Sequence, residues 1–175
     1  MLVQAFYKTT PLLKNYHELR EVDRLQNNFP YNDVNHCMYV AISKADSKKI
    51  VGFVDIDFRT NSLQSNAPPR PYLSDLAVDE NWRRKGIARD LIISCERKTM
   101  EMKKDILYLR VESENDNALK MYSSLGYHQQ PSNIFGVYDT TMLLKRDLSR
   151  RRPELGDLHD KAEAQKGLLP LDYIV

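Results

Sequence analysis

No apolar run in this 175-residue chain approaches the ~20 residues that a membrane-spanning helix needs. Met1 to Lys8 is too short and too mixed for a signal peptide. The chain is therefore expected in a reducing, aqueous compartment, cytoplasmic by default and without a membrane partner, although an organelle reached after loss of a targeting segment stays open. Cysteine is scarce as well. Cys37 and Cys95 fall in apolar patterns without metal-ligand spacing, and His17, His36, His128 and His159 form no ligand set, so two buried, reduced thiols and no metal are expected. Charge of one sign is also missing, because 26 Lys and Arg against 24 Asp and Glu leave +2. With no global field and no RNA- or DNA-binding signature, nucleic acid is not an expected partner, and recognition by charge must be local. What is left is the length and composition of one ordinary globular domain, long enough to bury a core.

The informative stretch is Tyr72 to Ala88, YLSDLAVDENWRRKGIA. Tyr72, Leu73, Leu76, Ala77 and Val78 make a short apolar run, and Pro68, Pro69 and Pro71 exclude a helix before it, so a buried strand is predicted. Asp79 to Trp82 then turn the chain. Arg83, Arg84, Lys85, Gly86, Ile87 and Ala88 follow at a predicted helix start, where the first amide N–H groups have no partner inside the helix and attract phosphate oxygens. Gly86 lets a pyrophosphate approach the backbone. A helix should run from Gly86 to about Met102 with Ile87, Leu91, Cys95 and Met102 on one stripe, supported by Ala88 and Ile92. Asp105 to Val111 returns as a strand, and such a strand-helix-strand unit pairs in parallel with a right-handed crossover. Beyond it comes Asn115-x-x-Ala118-x-x-Met121-Tyr122-x-x-x-Gly126-Tyr127, with Asp116 or Asn117 as a helix cap and Gly126 as a left-handed helix stop.

Arg-x-x-Gly-x-Ala after a strand ending Leu-Ala-Val resembles the acetyl-CoA signature of the GNAT family of N-acetyltransferases, and the second motif follows it in the family's order. The resemblance spans roughly Leu2 to Leu148 in order of elements and Tyr72 to Tyr127 in specific residues. It implies an α/β GNAT fold, a mixed, mostly antiparallel sheet with a central splayed parallel strand pair flanked by helices. It also implies acetyl-CoA as cofactor, held by Leu76, Ala77, Val78, Arg83, Arg84, Lys85, Gly86, Ile87, Ala88, Asn115, Asn117, Ala118 and Tyr122. Transfer by direct attack in a ternary complex needs no nucleophilic cysteine and no metal. In that scheme Tyr122 protonates the departing thiolate, and backbone N–H near Leu76 and Ala77, at a bulge in the strand, polarises the carbonyl. Tyr72 stands where histone acetyltransferases carry a glutamate base, and the histidine that works with such a tyrosine in certain protein N-terminal acetyltransferases is replaced by Arg110. Tyr72 is thus a candidate base without its partner, and Ser74 on the same face could help order a water instead.

The remaining stretches frame this centre. Leu2 to Tyr7 reads as a strand and Pro11 to Leu25 as a helix, broken by Phe29, Pro30 and Tyr31. Phe-Pro followed by an aromatic resembles the substrate loop of the N-terminal acetyltransferases, although Phe29 and Pro30 can equally be a core plug and a helix stop. Cys37 to Ser43 and Ile50 to Phe58 read as a hairpin joined by the charged Lys44 to Lys49. Asp55 and Asp57 share one strand face, and with Asp75 they read either as attractors for a cationic amine or as a solvated face. Arg59 to Pro71 is a polar connection expected on the acceptor side. Tyr127 to Gln129 and Asp139 to Arg146 should close the sheet as an antiparallel pair, their loop placing Tyr138 opposite Phe29-Pro30-Tyr31 around the acceptor. Residues 1–148 would form the acetyltransferase domain and 149–175 a C-terminal extension, partly helical or docked on it. The acceptor is expected to be a protein N-terminal α-amine, with lysine side chains or small amines such as polyamines and arylalkylamines as alternatives, as is a non-catalytic acyl-CoA-binding module. The protein is expected to be a monomer or weak dimer.

Overall fold

The computed structural model describes residues 35–61, 68–131, 140–149 and 173–174. The strand at 2–7, the helix at 11–25, Phe29, Pro30, Tyr31, Tyr138 and all of the extension except 149 and 173–174 lie outside the described residues. The elements are β1 (His36–Ser43), β2 (Ile50–Asp57), β3 (Tyr72–Val78), a 3-10 turn (Glu80–Trp82), α1 (Ile87–Glu101), β4 (Ile106–Glu112), α2 (Asp116–Ser124), β5 (His128–Gln129), β6 (Thr141–Asp147) and β7 (Tyr173–Ile174). Their sheet has the order β5-β6-β4-β3-β2-β1-β7.

The hairpin of β1 and β2 forms because runs rich in β-branched and aromatic residues, Tyr39, Val40 and Ile42 on one side and Ile50, Val51, Phe53, Val54 and Ile56 on the other, flank a turn that Asp46 organises. Its carbonyl accepts from Lys49 N at 2.9 Å and its Oδ1 from Lys48 N at 3.0 Å. On one sheet face Val54 and Ile56 of β2 and Leu73 of β3 are buried against Leu91, Ile92 and Cys95 of α1. Gly52 is what lets the helix lie so close. A Cβ there would meet Ile87 Cγ2 at 2.7 Å and Leu91 Cδ1 at 3.0 Å.

The crossover from β3 through α1 to β4 is parallel, as the pattern predicts, but it is paired at only Tyr72 with Tyr108 and Leu73 with Leu109. The strands part after that. β3 meanwhile bulges against β2, since Phe53 faces Ala77 and Asp55 faces Ser74, leaving Asp75 and Leu76 opposite Val54 alone. Asp75 adopts φ 54°, the backbone turn that such an extra residue requires. β6 closes the other side of β4 over seven antiparallel pairs, Ile106 with Asp147 through Glu112 with Thr141, and β5 pairs with β6.

Two sequence expectations are corrected here. The cap of α2 is Asn115, whose Oδ1 accepts from Ala118 N at 3.1 Å, rather than Asp116 or Asn117, because the chain leaves the helical region one residue earlier. The stripe of α1 is also not wholly apolar, as Glu96 and Thr99 are buried beside Cys95. Glu96 accepts from Arg146 of β6 and, at 3.1 Å, from the Tyr127 hydroxyl, so one buried carboxylate ties α1 to the far side of the sheet. Gly126 does stop α2 in the left-handed region, at φ 86°. No helix among the described residues is long and apolar enough to cross a membrane.

Candidate active site

The parting of β3 from β4 opens a cleft of about 1010 Å³ that runs to the N-terminus of α1 and along α2. One wall is β3 from Leu73 to Val78 and the other is Arg110, Val111 and Glu112 of β4 with Asn115, Asn117, Ala118, Met121 and Tyr122. Its far end is formed by Trp82, Arg83, Arg84, Gly86, Ile87 and Ala88. The structure thus gathers around one space all but one of the residues that the two motifs mark for the cofactor.

The exception is Lys85. Its ammonium lies 4.5 Å from the Trp82 ring centre, and Lys49 approaches the same ring at 5.7 Å. The seat itself is shaped by backbone. Asp79 Oδ1 accepts from Asn81 N at 2.9 Å and begins the 3-10 turn, after which Arg84 (φ 64°) and Gly86 (φ 88°) take left-handed conformations. Gly86 is the N-cap of α1 and offers no side-chain cap of its own. The first amides of a 15-residue helix therefore face the cleft's end beside Arg83 and Arg84, a donor set that suits pyrophosphate. Arg83 is held there by a 3.3 Å bond from Nε to the Val78 carbonyl.

Tyr122 is 6% exposed and packs edge-on against Tyr127, ring centres 5.6 Å apart. Burial, with smaller contributions from Tyr72 and Cys95, pushes its phenol well above the usual tyrosine range, so it stays protonated at neutral pH. Tyr72 is not in the cleft wall. Burial raises its phenol too, opposed by the Arg110 and Arg70 guanidiniums and by the Arg110 backbone N–H against its hydroxyl. Cys95 is fully buried on α1, and burial pushes its thiol up, as an inert core cysteine requires.

The aspartates depart from the solvated-face reading. Asp55 is 1% and Asp57 5% exposed. Asp57 accepts from Arg59 Nε at 2.9 Å and NH2 at 2.7 Å and lies 3.2 Å from Arg70 NH2. Burial works against its charge, but the hydrogen bonds from Arg59 and the Arg70 guanidinium prevail and hold the carboxyl below the usual carboxylate range. Asp55 bonds to Ser74 and His36 instead. Sequence reasoning passed over His36, and it passed over the pairing of Arg110 NH1 with Thr141 Oγ1 at 3.1 Å on the cleft wall. Both depend on strand register, which no local pattern reveals. Among the described residues no cluster of His, Cys, Asp and Glu is arranged to hold a metal ion.

Comparison with known proteins agrees with this architecture. PaiA N-acetyltransferase from Thermoplasma acidophilum, solved in complex with coenzyme A, superposes with a TM-score of 0.52 at 15% identity, over 77% of this chain and 72% of that one. The ribosomal-protein-S18-alanine N-acetyltransferase from Escherichia coli gives 0.54 at 18% identity, over 73% and 76%. Arabidopsis thaliana NAA60, in complex with a bisubstrate analogue, gives 0.55 at 17% identity, over 76% and 92%. At these identities the likeness is one of fold. The profile of the acetyltransferase (GNAT) family, by contrast, matches residues 3–127 of the sequence itself. With that match over most of its length, and with its splayed strand pair and glycine-capped helix, the chain belongs to the GNAT family of acetyltransferases.

Proposed function

We propose that this acetyltransferase moves the acetyl group of acetyl-CoA to the α-amine of a protein or peptide N-terminus, by direct attack with both substrates bound. The observation that carries the reading is the charge beside the cleft. Of the three aspartates able to attract a second ammonium, Asp57 is committed to two guanidiniums and Asp55 is buried, so the acidic side chains of the cleft wall are Asp75 and Glu112, against Arg83, Arg84, Arg89 and Lys120. Arg110 adds positive charge on the opposite wall. Such a surface suits an acceptor that brings one amine, not a polycation.

The acceptor's acidity points the same way. An α-amine titrates ~2 to 3 units below a lysine side chain, so at pH 7 roughly a tenth of it is neutral against about 0.04% of lysine. A site that admits the amine only in its neutral form gains most from the former. The fold shared with the S18-alanine and NAA60 enzymes is consistent with a peptide acceptor. In this scheme the N-terminus of α1 with Arg83 and Arg84 holds the pyrophosphate. Backbone N–H groups at the Asp75–Leu76 bulge polarise the acetyl carbonyl, and the Tyr122 hydroxyl donates to the departing sulfur. Burial that raises the phenol also raises a thiol bound beside it, which preserves the match between donor and acceptor.

A competition assay read by mass spectrometry tests this. Peptides with free α-amines should be acetylated ahead of the same peptides blocked there but bearing an internal lysine, and ahead of free polyamines. Faster turnover of the blocked lysine peptides or of polyamines would refute it.

A further inference from the structure

The sheet face that carries Ser74 also carries a line of polar side chains leading away from the cleft. Ser74 Oγ donates to Asp55 Oδ1, and Asp55 Oδ2 lies 3.0 Å from His36 Nε2. Three adjacent strands, β3, β2 and β1, supply one group each. The register explains it, for Ser74 faces Asp55 directly, and His36 lies two residues from Met38, which faces Asp55 in turn. By the period-two rule all three side chains emerge on the same side. Asp55 is 1% exposed and the His36 side chain 4%, whereas Ser74 lines the cleft. A carboxylate is costly to bury, and an apolar residue would serve a core better there. Asp57, two residues on, is neutralised by arginines; among the described residues the partners of Asp55 are a hydroxyl and an imidazole, groups that pass or share protons.

We infer that Ser74 and Asp55 form the proton-accepting relay for the acceptor amine, with His36 as a positioning residue. The inference rests on the proposed transfer to an amine and adds that the amine enters beside Ser74, which lines the cleft. As the amine nitrogen forms its bond to the acetyl carbon, the carbon–sulfur bond breaks and its electron pair stays on sulfur. The nitrogen gives one proton to Ser74 Oγ while the hydroxyl's own proton passes to Asp55 Oδ1. Nitrogen thus loses one proton, Asp55 gains one, and the thiolate takes its proton from the Tyr122 side. His36, bonded to the other carboxylate oxygen, keeps Asp55 turned toward Ser74. The hydroxyl meets a carboxylate and not the imidazole, so the trio is not the arrangement of a serine nucleophile, and no acyl-serine is formed.

Ser74→Ala, Ser74→Thr, Asp55→Asn and His36→Gln in the full chain decide the matter. For each, kcat and the KM for acetyl-CoA are measured with whichever amine the unmodified protein acetylates fastest, alongside the thermal shift on adding acetyl-CoA. Ser74→Ala and Asp55→Asn should lower kcat on the order of 10²-fold with the acetyl-CoA KM and thermal shift kept. Ser74→Thr should restore most of the rate, and His36→Gln should show a smaller loss. An unchanged kcat in Ser74→Ala, or a loss that threonine does not restore, overturns the relay. Should Asp55→Asn fail to fold, the Ser74 pair still decides. If lysine peptides prove the fastest substrates, the α-amine reading falls, while the same ratios on the lysine acceptor still support or overturn the relay.

Discussion

Replacing Gly86 with glutamate should abolish the stabilisation of the fold by acetyl-CoA, and the structure allows the size of each effect to be worked out. At 100 times its dissociation constant a ligand that binds only the folded state adds about 2.7 kcal/mol. For a domain of this length each kcal/mol shifts the melting temperature by about 2–4 °C, so unmodified protein should gain about 5–11 °C. Gly86 sits at φ 88°, a conformation that costs a residue with a Cβ roughly 1–2 kcal/mol, so the variant without ligand should melt about 2–8 °C lower. Gly86→Ala carries that backbone cost without the charge and keeps part of the ligand shift. Gly86→Glu adds a carboxylate among the amides that begin α1, where it competes for the donors offered to pyrophosphate and repels the incoming phosphates. Differential scanning fluorimetry over an acetyl-CoA titration separates the two terms, since one appears at zero ligand and the other only as the ligand rises. A full ligand shift in Gly86→Glu would refute the assignment of this helix terminus to the cofactor.

Tyr122→Phe keeps the ring packed against Tyr127 and removes only the hydroxyl, so turnover should fall on the order of ten- to a thousand-fold while the acetyl-CoA thermal shift stays. Full activity, measured as free CoA release, would show that solvent protonates the thiolate. Glu96→Gln leaves Arg146, 2% exposed and with Nη2 already lacking a partner among the described residues, without its buried counter-charge, and should cost about 3–5 kcal/mol, or about 6–20 °C in melting temperature. Pairing it with Arg146→Met should recover much of that loss in a thermal melt, and a single-variant cost below about 1 kcal/mol would mean that the pair contributes little.

The parts of this protein legible in its sequence are those written in contiguous residues. The apolar run of β3, the glycine at the start of α1 and the apolar stripe behind it are local patterns with local causes, and they mark the strand and the helix start that meet at the cleft. The Asn115 cap was missed by one position because three neighbouring residues, Asn115, Asp116 and Asn117, all have capping side chains, and only backbone angles choose among them. Lys85 belongs to the motif as a string, yet turns to Trp82, because adjacent residues at a turn point in different directions. The buried polar groups were the least legible. Glu96 on a helix stripe and Asp55 on a strand look like surface residues until Arg146, fifty positions away, and His36 are known to face them.

The bulge at Asp75 connects what was legible to what was not. Up to Leu73 the parallel pair holds, and the next residue, Ser74, still faces Asp55 in the ladder with β2. One residue later the backbone turns through φ 54°, and β3 continues along the cleft toward the glycine-capped helix. On the proposed reading, backbone geometry therefore divides one strand into an acceptor half, whose side chains reach back into a polar network across the sheet, and a donor half, whose amides and carbonyls would face acetyl-CoA. The donor half serves one ligand through backbone groups, so many side chains satisfy it and a short signature identifies it. In the same reading the acceptor half depends on side chains from three strands, and its specificity would be set by which carboxylates arginines neutralise and which they leave to a serine and a histidine.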